Sequence, residues 1–275
     1  MNGVPLRLLA WFVTLATLLS ACVPAVSLDE AATGQPVQTS SAPPAARDVV
    51  PGPQRPPSPT PTSVPTPTPV PRPYALNLYQ EGDFVPQYTF DWCVAASIQI
   101  MHNLIDDKGA GTWADRVHQG ELWEMARARS SNSFNGANPL GWAKVLTEVG
   151  MGPYTVVSIA DYEEALRTAA RAIADTGRPV GLGMWRGRHV WVMSGFASLG
   201  DPDQFPKFSV TGIRVQDPLY PYGDQQWGRS PAPNTLLTPE QLATQFVVRE
   251  PRRWSSNLPT GYMLVLPIAK AFPRT

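Results

Sequence analysis

The chain has 275 residues, 22 Lys plus Arg balanced by 22 Asp plus Glu, and only two cysteines, Cys22 and Cys93. Its basic residues are dispersed, which argues against nucleic acid or another polyanion as a partner. Much of its proline (31 residues) lies before residue 74, separating a tail that cannot bury a core from about 200 residues that can.

Residues 1–21 carry Arg7, the apolar run Leu8 to Leu19, and then Ser20-Ala21. The run is too short for a comfortable membrane span and fits the apolar region of a signal peptide. The ending Leu19-Ser20-Ala21-Cys22 resembles the lipobox of bacterial lipoproteins. That resemblance implies cleavage before Cys22, diacylglycerol on its sulfur, and an anchor on the extracytoplasmic face of the cell membrane or outer envelope. The alternative is an ordinary secretory signal with an incidental cysteine. With Cys22 lipidated, no disulfide to Cys93 can form, and an exported protein is left with one free thiol.

Residues 22–73 lack hydrophobic periodicity and fill with Pro, Thr, Ser and Ala, ending in PPSPTPTSVPTPTPVPRP (Pro56 to Pro73). Such a segment cannot offset its ordering entropy by burial, so it is expected to be an extended linker. At about 3.1 Å per residue it could hold a domain on the order of 100 Å from a membrane.

Residues 74–275 are expected to form one domain. Asp91 is placed to cap a helix from about Trp92 to Ile105, with Val94, Ile98, Met101 and Ile105 facing a core. A second helix is expected over about 114–129. A third begins at Asn138-Pro139 and stops at Gly150. Tyr154 to Ile159 reads as a strand. Asp161-x-x-Glu164 opens a helix with a capping box, ended by Gly177 and Pro179. Strands follow: Val180 to Met184, a turn through Arg186-Gly187-Arg188, His189 to Phe196, Phe208 to Val215, and Gly261 to Ile268. Thr238-Pro239-Glu240-Gln241 starts one late helix. Helices first and antiparallel strands later predict an α+β domain.

Cys93 lies in VPQYTFDWCVAAS (Val85 to Ser97), at the expected start of the first helix and six residues after Gln87. The positive end of the helix dipole favours thiolate there. A glutamine just upstream can donate an amide N–H to a developing oxyanion. A buried structural cysteine is the bland alternative.

The three histidines differ in setting. His102 is mid-helix and points away from the helix's first turn, and His118 sits among charged residues as a solvated group. His189 opens the strand HVWVMSGF directly after a turn, where a side chain can project over a cleft from a rigid element. Alternation places His189, Trp191 and Met193 on one face of that strand. Asp217, in VQDP, ends a later strand. A carboxylate there can accept the second imidazole N–H and fix the tautomer, although Asp-Pro also simply starts turns.

The order Gln87, Cys93, His189, Asp217 resembles the papain-like cysteine peptidases, with a Gln-x5-Cys offset matching that family's oxyanion spacing. More narrowly, VPQ…WCVAAS, the Gly-Arg-His-Val strand and VQDP are similar to the bacteriocin-processing, double-glycine-leader peptidases and their single-domain relatives. The resemblance implies a papain-like α+β fold, a helical half followed by an antiparallel sheet half. It also implies Gln87 as oxyanion donor, Cys93 as nucleophile, His189 as base and Asp217 as orienter. Two departures stand out: the tryptophan precedes the cysteine and an aspartate replaces papain's asparagine. No transporter or ATPase domain accompanies the chain, so the leader substrate does not transfer with the resemblance.

The function expected from these residues is hydrolysis of peptide bonds through a Cys93 thioester, on a peptide or protein substrate, by a lipid-tethered monomer. No cofactor and no metal is expected, because one cysteine and scattered histidines do not make a zinc site. The alternatives are acyl transfer of the transglutaminase kind, cell-wall peptide cleavage, and a catalytically silent binding module. Trp92, Trp185, Trp191 and Trp227 are candidates to line a substrate cleft, or simply core.

Overall fold

A computed structural model describes Gly52, 68–106, 111–131, 136–251 and 257–268. The chain divides into two units, 1–64 and 65–275, and all described residues but Gly52 belong to the second. The expected signal segment, Cys22 and most of the expected linker lie outside the described residues. Among the described residues, no helix is long and apolar enough to cross a membrane.

In chain order the elements are β1 (Pro73–Asn77), α1 (Cys93–Ile105), α2 (Arg116–Arg129), α3 (Pro139–Glu148), β2 (Tyr154–Ile159), α4 (Tyr162–Thr176), β3 (Val180–Met184), β4 (His189–Leu199) and β5 (Ser209–Gln216). There follow β6 (Gly223–Asp224), β7 (Gly228–Arg229), β8 (Thr235–Leu237), α5 (Pro239–Ala243) and β9 (Tyr262–Pro267). The class is α+β as expected, a helical half followed by an antiparallel sheet half. Seven strands form one antiparallel sheet in the order β2-β9-β3-β4-β5-β8, with β1 added along β4. The short β6 and β7 pair as a separate hairpin.

The helix ends follow local chemistry. Asn138 accepts N–H bonds from Leu140 and Gly141 ahead of Pro139. Thr238 and Gln241 form a complete capping box at α5, satisfying two of the N–H groups a helix start leaves open. At α4 the expected box is half made: Asp161 accepts from the Glu164 N–H, while the Glu164 carboxylate pairs with Arg167. The expected Asp91 cap is corrected. Trp92 occupies that position with no side-chain cap bond, and Asp91 is exposed.

Helices cover both faces of the sheet. Val190, Val192 and Val265 pack into a core with α1, α2 and α3, whereas Trp191, Met193 and Leu264 pack into another with α4 and α5. This explains the almost continuous burial of β4, a strand that has no polar face because neither side meets water. The helix α1 is likewise buried nearly all round. Its Gln99 and Asn103 are satisfied by the carbonyls of Asp115 and of Asp83 and Trp113. Two glycines allow close approaches: the Trp142 indole lies on Gly181, and the Leu76 carbonyl sits where a Cβ at Gly195 would be. The latter lets β1 close against β4 beside a bulge at Met193/Gly195.

Candidate active site

The helix α1 begins at Cys93 itself, so the Cys93 side chain stands at the helix's positive end. The first-turn N–H groups have no intrahelical acceptors and are free to serve an anion. Cys93 is a free thiol, partly exposed, in the wall of a cleft of about 230 Å³. Gln87, Phe90, Trp185, His189, Leu219 and Trp227 also line it.

His189 is the first residue of β4 and is buried, at 5 % exposure. Its Nε2 lies 2.6 Å from Asp217 Oδ1. Asp217 follows β5 directly and is fully buried. The same Oδ1 accepts the Leu219 N–H at 2.9 Å, so the backbone fixes the carboxylate before it meets the ring. With Nε2 committed to Asp217, Nδ1 is the ring nitrogen left to meet the thiol, and Cys93 and His189 line the same cleft. Burial, the largest influence on the imidazole, disfavours its charged form. The hydrogen bond to Asp217, with the influence of the neighbouring Cys93, outweighs it and pushes the pKa up to about 9. The ring therefore favours its charged form at neutral pH.

Gln87 is brought to the same cleft, but its amide is occupied. Nε2 donates to the carbonyls of Thr89 (3.0 Å) and Phe90 (2.8 Å), while the buried Oε1 has no partner. The side chain thus braces the turn that delivers Cys93. For Gln87 to donate to an oxyanion, one of these bonds must be released. The Gln87 backbone N–H donates to the Pro218 carbonyl at 2.8 Å, next to Asp217.

The aromatic candidates divide evenly. Trp185 and Trp227 line the cleft. Trp191 is fully buried in the core between sheet and α4, and Trp92 packs on Trp123. Of the other histidines, His102 stacks on Trp113 with centroids 3.7 Å apart. His118 meets the same indole edge-on at 4.4 Å; it is half-buried there rather than solvated, because the indole offers it apolar cover. Among the described residues, no group of three or more His, Cys, Asp or Glu could hold a metal ion.

Sequence reasoning missed the conformation of the turn before His189. Trp185, Arg186 and Gly187 all have positive φ, at 54°, 58° and 79°. For a tryptophan that backbone is an outlier costing on the order of 1–3 kcal/mol. Its ring stacks on His189 and its two N–H groups bond Gln245. No local pattern in the sequence signals either contact.

No protein-family model matches the chain, and no curated protein matches it. Among solved structures, a protein from Bacillus anthracis whose description calls it, provisionally, a C39-like peptidase is similar at a TM-score of 0.37 and 9% identity, covering 69% of this chain and 96% of that one. At that level of likeness, a functional reading rests on the geometry of the site itself.

Proposed function

We propose that the protein is a papain-like cysteine peptidase, held on the extracytoplasmic side of a membrane by a lipid on Cys22, that hydrolyses peptide bonds. The observation that carries this reading is the buried 2.6 Å His189–Asp217 bond, which opens onto the same cleft whose wall holds the Cys93 thiol. A structural cysteine needs neither partner.

In the proposed reaction, the thiol proton passes to His189 Nδ1 and the Cys93 sulfur attacks the carbonyl carbon of a peptide bond. The carbonyl oxygen gains the negative charge and is held by the Cys93 backbone N–H, with Gln87 as second donor once its amide turns from Thr89 or Phe90. The imidazolium then gives its proton to the leaving amine nitrogen, the C–N bond breaks, and a thioester remains. Water, losing a proton to His189, attacks that thioester; the acid product departs and the sulfur recovers the proton. Asp217 accepts the Nε2 hydrogen bond throughout and keeps Nδ1 aimed at the sulfur.

The test is labelling with a peptidyl electrophile that reacts with activated thiols, read by peptide mass mapping. The expected result is one adduct, at Cys93, blocked by Cys93→Ala and strongly slowed by His189→Ala. Labelling no faster than that of an ordinary exposed thiol, and unaffected by His189→Ala, would favour a silent binding module. If added amines intercept the acyl group in preference to water, the reaction is acyl transfer.

A further inference from the structure

We infer that Gln119 is a positioning residue for Gln87: its buried side-chain amide grips the backbone on both sides of Gln87, so that the Gln87 amide can turn to an oxyanion while the chain beneath it stays in place. This rests on the proposed role of Gln87 as second oxyanion donor and adds a residue from α2 to that machinery.

The first argument is where the backbone bonds around Gln87 go. Residues 86–88 belong to no strand, and the groups that face the fully buried Gln119 cannot turn to water instead. Gln119 Oε1 accepts the Tyr88 N–H at 2.8 Å, and Gln119 Nε2 donates to the Pro86 carbonyl at 3.2 Å. One side-chain amide thus serves the groups immediately before and after Gln87, as a neighbouring strand would. The Gln87 N–H itself donates to the Pro218 carbonyl at 2.8 Å. The peptide unit joining Pro86 to Gln87 is thereby held at both ends, its C=O by Gln119 and its N–H by Pro218. The Tyr88 hydroxyl adds a further tie to the start of α2, donating to the Ala114 carbonyl at 2.7 Å.

The second argument is what fixes Gln119. It shares the buried side of α2 with Leu122 and Ala126, an apolar line in which an amide is costly unless its polar atoms are paired. Beside Pro86, Gln119 Nε2 donates to Gln99 Oε1 at 2.7 Å, and Gln99 Nε2 donates to the Asp115 carbonyl at 3.0 Å. Turning either amide over would set donor against donor and acceptor against acceptor, so both orientations are locked. Gln99 is fully buried on α1, the helix that begins at Cys93. The same chain of bonds therefore registers the oxyanion donor against the nucleophile.

These contacts bear on the one movement the proposed reaction asks of Gln87. Its Nε2 donates to the carbonyls of Thr89 and Phe90 and must leave one of them to reach an oxyanion. With 86–88 fixed, that exchange is a rotation of the side chain alone. Without the grip of Gln119, the backbone can follow the amide and the donor is misplaced.

The experiment compares acylation of Cys93 by p-nitrophenyl acetate with its alkylation by iodoacetamide, in the wild type, Gln87→Ala, Gln119→Met and the double variant. In the first reaction the sulfur attacks the acetyl carbonyl, passes through an oxyanion and expels p-nitrophenolate. In the second it displaces iodide and forms no oxyanion. Gln87→Ala should slow acylation on the order of 10²–10³. Gln119→Met, close in volume but without the amide, should slow acylation on the order of tenfold and alkylation far less. Added to Gln87→Ala it should cost little more, because it acts through that residue. Gln99→Met leaves Gln119 in place but unlocked and should give a smaller loss with the same selectivity; it carries the test if Gln119→Met does not fold. Wild-type acylation in folded Gln119→Met, equal losses in the two reactions, or the same loss with and without Gln87 would overturn the inference while leaving the proposed function intact. A wild type acylated no faster than His189→Ala would overturn both.

Discussion

The backbone N–H of Gln87 donates to the carbonyl of Pro218 at 2.8 Å, joining the turn before α1 to the residue after Asp217. Cys93 and Asp217 come from opposite halves of the domain, and this bond pins their two loops together. Its position predicts that loop changes on either side will disturb the geometry of the other. Substituting Pro218 by alanine keeps the carbonyl and should be mild by comparison with Asp217→Ala.

Removing His189 should cost stability as well as turnover. Asp217 is fully buried and its Oδ2 has no partner, so His189→Ala leaves a carboxylate buried with only the Leu219 N–H. Breaking one side of a buried pair costs about 3–5 kcal/mol. His189→Asn, which can still donate to Asp217, should lose turnover equally and retain more stability. Urea unfolding of both variants beside Cys93→Ala checks this; equal midpoints for all three would contradict it.

Stability should also depend on pH through this ring. Its folded pKa, about 9, lies above the unfolded value near 6.5, so the contribution is full below about pH 6.5. It is then lost as pH rises through about 9, a change on the order of 3 kcal/mol. The wild type should therefore weaken relative to His189→Asn between those limits, and parallel denaturation profiles would refute the linkage. Turnover should fall over the same upper limb, because a neutral ring cannot protonate the leaving amine.

Gln87 braces the 87–90 turn, and the proposed reaction gives it a second task, donating to an oxyanion. Alkylation by iodoacetamide forms no oxyanion, whereas peptide hydrolysis does. Gln87→Ala should thus lower kcat/KM on the order of 10²–10³ and lower alkylation far less, by the loss of bracing alone. Equal losses in both assays would assign the residue to bracing alone.

The lipid tether is tested apart from the chemistry. Cys22→Ser should abolish lipid labelling and either release the domain from membranes or leave uncleaved precursor. A correctly processed, membrane-bound mutant would remove the lipoprotein reading.

The sequence carried the class of fold because its helix caps and strand alternation are local. Asn138-Pro139, Thr238/Gln241 and the strand Tyr154–Ile159 all lie where local pattern places them. The candidate residues Cys93, His189 and Asp217 were legible as element ends, where functional side chains project from rigid supports. What escaped was set by tertiary contact. The strand β1, whose first residue Pro73 fell in the expected linker and which no local pattern marked, pairs with β4 over a hundred residues away. Asp91 looked like a cap, but the helix starts one residue later and Asp91 turns outward. The left-handed turn at Trp185 is held by Gln245, sixty residues on, and nothing near Trp185 announces it. The two cores, one on each face of the sheet, follow from where α4 packs, which periodicity alone does not fix.

The most direct test of the account is the pH dependence of Cys93 alkylation by a small neutral electrophile, in the wild type and in His189→Ala, from about pH 5 to about pH 10. A free thiol with a pKa near 8.5 is under one per cent thiolate at about pH 6. The account predicts that the wild type still reacts rapidly there and that His189→Ala slows the reaction on the order of 100-fold. Reaction confined to pH values above about 8 in the wild type, with the same profile in His189→Ala, would show that thiol and imidazole are not coupled and would contradict the proposed catalytic pair.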